Sequence, residues 1–318
     1  MSFNHILGQT RSLNIIRRML DAEKIPHAFL FTGIAGVGKY TTARALAKAL
    51  NCTQHTADFC DACPSCKKID ADMHPDFMLI GPEKNVIKIN QIRNLIKDIA
   101  FEPLEATWRV VIINQAETMN REAANCLLKT LEEPPSATVL ILIADGTIRL
   151  LPTILSRCQK IAFAPLSKHD IQTLLENEGI SRDQALTVTQ HAHGSLHRAR
   201  MLLDNSLFDD FTSLTSMMID AGSVGQRLDL AGTLCKSPER LSALLMLLLE
   251  WLRDVVLLGH GADTQQLFNT QQTDYVMRAA QQIEPCRLTK KIVQVTQLMT
   301  AQNHTINMQL GLESLLLS

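Results

Sequence analysis

The spacing of apolar residues along the chain changes near Pro165, and that change divides it. Before it, short apolar runs alternate with helical patterns. Leu13, Ile15, Ile16, Met19 and Leu20 recur at helical spacing between about Gln9 and Ala22, an amphipathic helix ahead of the first strand. Strands are expected at Ala28–Phe31, Asp76–Ile80, Trp108–Ile113, Thr138–Ile143 and Lys160–Phe163, with a short extended piece at Ile87–Ile89. The third and fourth are almost continuously apolar, as a parallel strand buried on both faces must be. Helices are expected at Thr42–Leu50, from an N-cap at Asn90 to about Ile99, and from Asn120 to the stop at Pro134-Pro135. Strands alternating with helices predict a three-layer α/β domain with a parallel sheet, over residues 1–164.

Beyond Pro165 only helical periods remain. Ser167, with Asp170 three residues later, marks a helix start in which Asp replaces the usual Glu or Gln. The pattern divides into a small helical domain at 165–207 and a larger one at 208–318. The most apolar stretch, Leu241–Leu258, is interrupted by Ser242, Glu250, Arg253 and Asp254, so it reads as a buried helix and not a membrane span.

Composition adds little to this outline. The chain has 318 residues, 46% hydrophobic and 20% charged, with a net charge of −1, so no global basic field points to nucleic acid. No secretory signal is expected at the N-terminus, and a cytoplasmic location is the default.

The first strand runs into Thr32-Gly33-Ile34-Ala35-Gly36-Val37-Gly38-Lys39-Tyr40-Thr41 and then a helix. Strand, glycine-rich turn and helix form the setting of a phosphate-binding loop: convergent backbone N–H groups, a helix N-terminus and the Lys39 charge. Gly33, Gly38 and Lys39 meet the pattern G-x-x-x-x-G-K, while Tyr40 stands where Ser or Thr should follow. A phenolic oxygen overshoots a magnesium ion bound there, and Thr41 is turned about 100° away on the helix. The third strand should end in carboxylates that hold magnesium and orient water. Asn114-Gln115 stand there instead, and Glu117 is two residues displaced from the second acidic position. The backbone and Lys39 leave phosphate binding open to this loop, and hydrolysis is not expected of it. The alternative is a glycine-rich turn that binds nothing.

Of eight cysteines, Cys52, Cys60, Cys63 and Cys66 cluster, with two overlapping C-x-x-C turns. This spacing suits a closed tetrahedral zinc site of structural type. Packed metal-free cysteines and a redox pair are the alternatives, and the third and fourth cysteines count against the pair. Cys126, Cys158, Cys235 and Cys286 are scattered. Lys129, Glu132 and Glu133 read as a charged helix end, and Arg157 alone as a solvated or salt-bridged arginine.

Taken together, Gly33–Lys39, the four cysteines, Leu127-Leu128-Lys129-Thr130-Leu131-Glu132-Glu133-Pro134-Pro135 and Ser156-Arg157-Cys158 resemble the bacterial DNA polymerase III clamp loader, of the AAA+ class, over about the first 165 residues. Within that family the chain is more similar to the delta-prime subunits than to the ATPase subunits (gamma/tau). His74-Pro75-Asp76-Phe77 and Gly81-Pro82-Glu83-Lys84 resemble the delta-prime segment after the zinc module. The ATPase subunits keep the acidic strand end and the loop Thr, and place a nucleotide-contacting arginine after Gly-Ser-Leu, where this chain has His197 following Gly194-Ser195-Leu196.

The resemblance implies an AAA+ domain with a zinc module at 52–66, a helical lid at 165–207 and a collar at 208–318, without the long extension of tau. It further implies a five-membered ring with gamma/tau and delta subunits that loads the sliding clamp onto primed DNA. Gly33, Gly36, Gly38, Lys39, Tyr40 and Thr41 would form a degenerate loop, with ATP either held there without hydrolysis or not held. Zinc would sit on the four cysteines, and Arg157 would be a finger reaching a neighbour's ATP. The rivals are a gamma-like ATPase motor and, from another class, a zinc-stabilised DNA-binding adaptor, which the near-neutral charge disfavours.

Overall fold

The structure is a computed structural model and describes residues 2–54, 57–219, 223–263, 267, 273–301 and 307–317. Residues 55–56 of the cysteine segment, and 220–222, 264–266, 268–272 and 302–306 of the expected collar, lie outside the described residues. The chain forms two compact units, residues 1–171 with 194–196, and residues 172–193 with 197–318.

In the first unit the order is α1 (Thr10–Asp21), β1 (Ala28–Thr32), α2 (Lys39–Asn51), α3 (Pro64–Asp70), β2 (Phe77–Ile80), α4 (Ile89–Ile99), β3 (Arg109–Ile113), α5 (Arg121–Glu132), β4 (Thr138–Ala144), α6 (Pro152–Leu155) and β5 (Gln159–Ala162). The strands make one parallel sheet in the order β2-β3-β4-β1-β5. The inner strands β1, β3 and β4 are buried along their whole length, and the edge strands β2 and β5 are partly exposed. Their alternating side chains feed two cores. Phe29, Phe31, Val110, Ile112, Val139 and Ile141 pack with Ile16 and Leu46 of α1 and α2 on one face. Leu30, Val111, Ile113, Leu140 and Leu142 pack with Ile92, Leu95, Leu127 and Leu131 of α4 and α5 on the other. This is the expected three-layer α/β domain, with the glycine-rich loop after a central strand as in the AAA+ class.

Several boundaries differ from expectation for identifiable reasons. The second strand begins at Phe77, because the buried Asp76 carboxylate accepts the N–H groups of Leu104, Glu105 and Ala106 at 2.8, 2.8 and 2.9 Å and pins that loop under the sheet. The helix expected to be capped by Asn90 starts two residues earlier, at Ile89, with Lys88 in the cap position. Its cap bond runs backwards, from the Lys88 N–H to the Gln91 side chain at 2.9 Å, so no polar N-cap side chain is needed. Asn120 does cap α5, accepting from the Ala123 N–H at 2.9 Å.

The helices that follow are α7 (Lys168–Asn177), α8 (Arg182–His191), α9 (Leu196–Leu202), α10 (Asn205–Ile219), α11 (Val224–Leu234), α12 (Pro238–Gly259), α13 (Thr273–Gln282), α14 (Pro285–Ala301) and α15 (Met308–Leu317). Ser167 and Asp170 exchange the bonds of a capping box at the start of α7. In the second unit α12 packs against α10, α13 and α14 and is buried on several sides, with Leu244, Leu248, Trp251, Leu252 and Val255 enclosed. This accounts for the apolar character of Leu241–Leu258 by burial within the unit. Among the described residues no helix is long and apolar enough to cross a membrane.

Candidate functional site

Gly33, Gly36 and Gly38 all take positive φ, the conformations that turn β1 sharply into α2. Gly33 is additionally constrained by space, since a Cβ there would lie 2.5 Å from the Phe163 carbonyl oxygen. From the neighbouring chain segment, the Ser195 hydroxyl donates to the Ala35 carbonyl at 2.8 Å and the Leu196 N–H to the Gly36 carbonyl at 3.1 Å. The Gly-Ser-Leu stretch therefore braces the loop's backbone.

Lys39 is only 5% exposed, and its ammonium donates to the carbonyl oxygens of Gly33 and Ile34 (the latter at 2.8 Å) and to Asp145 Oδ1 at 2.8 Å. Asp145 was not singled out from the sequence. It follows β4, and the pairing of Thr32 with Ala144 sets it beside Gly33 at the carboxyl end of the sheet. That edge is where ligands of open α/β sheets bind, which is the one signal that could have found it.

Tyr40 turns away along α2. Its ring lies 5.7 Å from the Arg44 guanidinium carbon, and Arg44 donates to its hydroxyl at 3.4 Å. Thr41 is exposed, and the buried Thr42 hydroxyl donates back to Gly38 O at 2.9 Å. Asn114 and Gln115 end β3 as expected. Gln115 takes a left-handed conformation (φ 54°) and starts a short 3-10 turn at Ala116–Thr118. That turn returns the displaced Glu117 to the site, where its Oε1 accepts the Asp145 N–H at 3.3 Å. Burial, reinforced by the Asp145 charge, pushes the Glu117 carboxyl above its ordinary range.

The loop's fit to a magnesium nucleotide is poor on these observations. The lysine is already committed to acceptors, no hydroxyl among the described residues replaces the missing Ser or Thr, and the nearby carboxylates come from Glu117 and Asp145 and not from the end of β3.

The sulfurs of Cys52, Cys60, Cys63 and Cys66 all lie within 4.8 Å of one another. A tetrahedral zinc with Zn–S bonds of about 2.3 Å needs sulfurs roughly 3.8 Å apart, so this set fits the ion. Cys63 opens α3, and its sulfur accepts the Cys66 N–H at 3.4 Å. Burial would raise the Cys63 thiol, but N–H donors from Cys66 and Thr53 outweigh it and lower the thiol to about 6. Burial and the neighbouring thiols push Cys66 up to about 12. Four close thiols cannot all ionise alone, and a divalent cation is what relieves that conflict. Lys48 fastens the module to α2 through Asp61 and Asp70, both at 2.6 Å.

Arg157 lies just after α6 with its side chain 31% exposed. Its guanidinium pairs with Glu132 and donates to Thr153 O at 2.9 Å and Ser156 Oγ at 3.3 Å. Glu132 is thus more than the charged helix end read from sequence, because the fold brings the ends of α5 and α6 together. In the second unit, Arg198 is buried and donates to Glu250 at 2.6 Å, with His191 and His193 on the same carboxylate at 2.8 and 2.5 Å. This arginine, next to His197, is engaged inside its own unit.

The model of the family "DNA polymerase III, delta subunit" matches residues 8–167, and that of its C-terminal region matches 214–318. The chain is 37% identical over 177 residues to DNA polymerase III subunit delta′ of Bacillus subtilis, covering 56% of this chain and 54% of that one. It is 33% identical over 212 residues to the gamma subunit of Buchnera aphidicola (64% and 58%) and 32% over 227 residues to the tau subunit of Escherichia coli (69% and 35%). It therefore spans about half the length of the first two. A gamma subunit-related protein of Thermotoga maritima superposes with a TM-score of 0.48 at 17% identity, covering 96% of this chain and 97% of that one. The chain belongs to the DNA polymerase III delta-subunit family, and with it to the clamp-loader subunits of that polymerase.

Proposed function

We propose that this chain is a delta-prime-like subunit that does not hydrolyse ATP itself and supplies Arg157 to the ATP of a neighbouring gamma/tau-type subunit while the sliding clamp is loaded onto primed DNA. The observation that carries this reading is the contrast between two ends of one domain. The chain's own loop has Lys39 tied to Asp145, Tyr40 turned onto Arg44 and amides at the end of β3. Ser156-Arg157-Cys158 is complete, with Arg157 partly exposed and held by a surface ion pair and local bonds.

A planar, permanently charged guanidinium suits transition-state charge on a transferred phosphoryl group, and it can act in a site its own chain does not own. A subunit in that role needs none of its own magnesium ligands. Arg198 does not replace them, since Glu250 holds it. Residues 165–207 then serve as a lid and 208–318 as the collar that joins gamma/tau and delta subunits in a five-membered ring. The four cysteines hold structural zinc. The ring works in the cytoplasm.

A second reading, a gamma-like motor, is favoured by the retained Gly33, Gly38 and Lys39 and by the similarity to gamma and tau proteins. The two separate in one assay. Purified chain, with clamp and primed DNA, should show no ATP turnover above that of Lys39→Ala, and turnover that depends on Lys39 would establish the motor instead.

A further inference from the structure

We propose that Asp145 is a built-in counter-ion that holds Lys39 away from phosphate, so that the loop rejects nucleoside triphosphates, and that neutralising Asp145 opens it to them. This rests on the reading of Gly33–Lys39 as a retained phosphate-binding frame and deepens it, because it names what keeps that frame from working.

The three acceptors around Lys39 match the three N–H donors of an ammonium group. Two of them are backbone carbonyls of the loop itself, which give way when a lysine swings toward a phosphate. The third is the carboxylate of Asp145, whose backbone the register of β1 against β4 sets beside the loop, and it acts twice. It occupies the lysine's charge, and it places a negative group where phosphate oxygens would arrive.

Glu117 adds to this. Its Oε1 accepts the Asp145 N–H, and its buried Oε2 has no hydrogen-bond partner among the described residues. The carboxyl end of the sheet therefore offers an incoming triphosphate two acidic side chains and one lysine that is already neutralised. Like charges brought together repel, and here the one lysine is already paired. The loop glycines and the helix N-terminus still favour an anion there. Asp145 is the element that opposes them, and its side chain is 52% exposed.

The test compares full-length wild-type chain with Asp145→Asn, binding a fluorescent ATP analogue with and without magnesium. Lys39→Ala and the double variant Lys39→Ala/Asp145→Asn serve as controls. Asp145→Asn should bind on the order of tenfold more tightly than wild type or better, with the gain lost in the double variant. Equal affinity of wild type and Asp145→Asn overturns the proposal. So does a gain that persists without Lys39, since the effect would then not pass through the lysine. Should Asp145→Asn lower the melting temperature, Asp145→Ser is measured in its place under the same two criteria. ATP turnover by the wild-type chain would strike the proposed function. Equal affinities without turnover would strike this inference alone.

Discussion

The buried carboxylate of Glu250 makes Arg198 a structural residue of the second unit. That carboxylate is 7% exposed, receives Arg198 at 2.6 Å, and is joined by His191 and His193. Burial alone would raise it, but the hydrogen bonds from His191 and His193 and the Arg198 charge outweigh burial and bring it from 4.5 to about 2. That gap corresponds to about 3 kcal/mol of stability. Because the folded value is depressed, the stabilisation is complete above the unfolded value of 4.5 and is lost as pH falls toward about 2. Roughly half remains at pH 3. Glu250→Gln removes the charge and leaves Arg198 buried without it, so at pH 7 the second unit should lose about 3 kcal/mol, the lower end expected for breaking a buried pair. The fully enclosed Trp251 beside it reports this unit in urea titrations, with Trp108→Phe removing the other tryptophan. The gap between Glu250→Gln and its parent should narrow to about half at pH 3. A loss under about 1 kcal/mol, or one that stays constant from pH 7 to pH 3, would mean that the Glu250–Arg198 pair does not stabilise the second unit.

Asp76→Ala deprives three backbone N–H groups and the buried Arg109 of their acceptor, so the first unit should be destabilised by about 3–5 kcal/mol, read as a lowered thermal midpoint. Cys66→Ser should abolish the binding of about one zinc per chain, measured by metal analysis of purified protein, and make the first unit unfold at lower denaturant. Full zinc occupancy in that variant would remove the four-cysteine assignment.

The sheet was legible because β1, β3 and β4 are buried on both faces and so carry uninterrupted apolar runs. Edges were less legible. Asp76 looks like a strand residue until its carboxylate is seen capping a loop nearly thirty residues away, and Asn90 looks like a helix cap until Gln91 provides the cap bond from inside the helix. The same holds at the site. Gly33, Lys39 and the cysteines are local in sequence, and their spacing alone exposes them. Asp145 and Glu117 reach Lys39 through strand register and a left-handed turn at Gln115, and Glu132 meets Arg157 through the packing of α5 and α6. Sequence periodicity records which face of an element is buried, and it carries no trace of which polar side chains two distant elements bring together.

Under the proposed function the chemistry of this chain lies in Arg157 and a neighbour's nucleotide. The most direct measurement is ATP turnover and clamp loading by a loader reconstituted with Arg157→Ala in place of the wild-type chain. The complex should assemble with unchanged composition and load clamps at least on the order of tenfold more slowly, with Arg157→Lys failing to rescue it because a point charge does not reproduce the planar fork. Wild-type rates of turnover and loading from the Arg157→Ala complex would mean that Arg157 does not act on a neighbour's ATP.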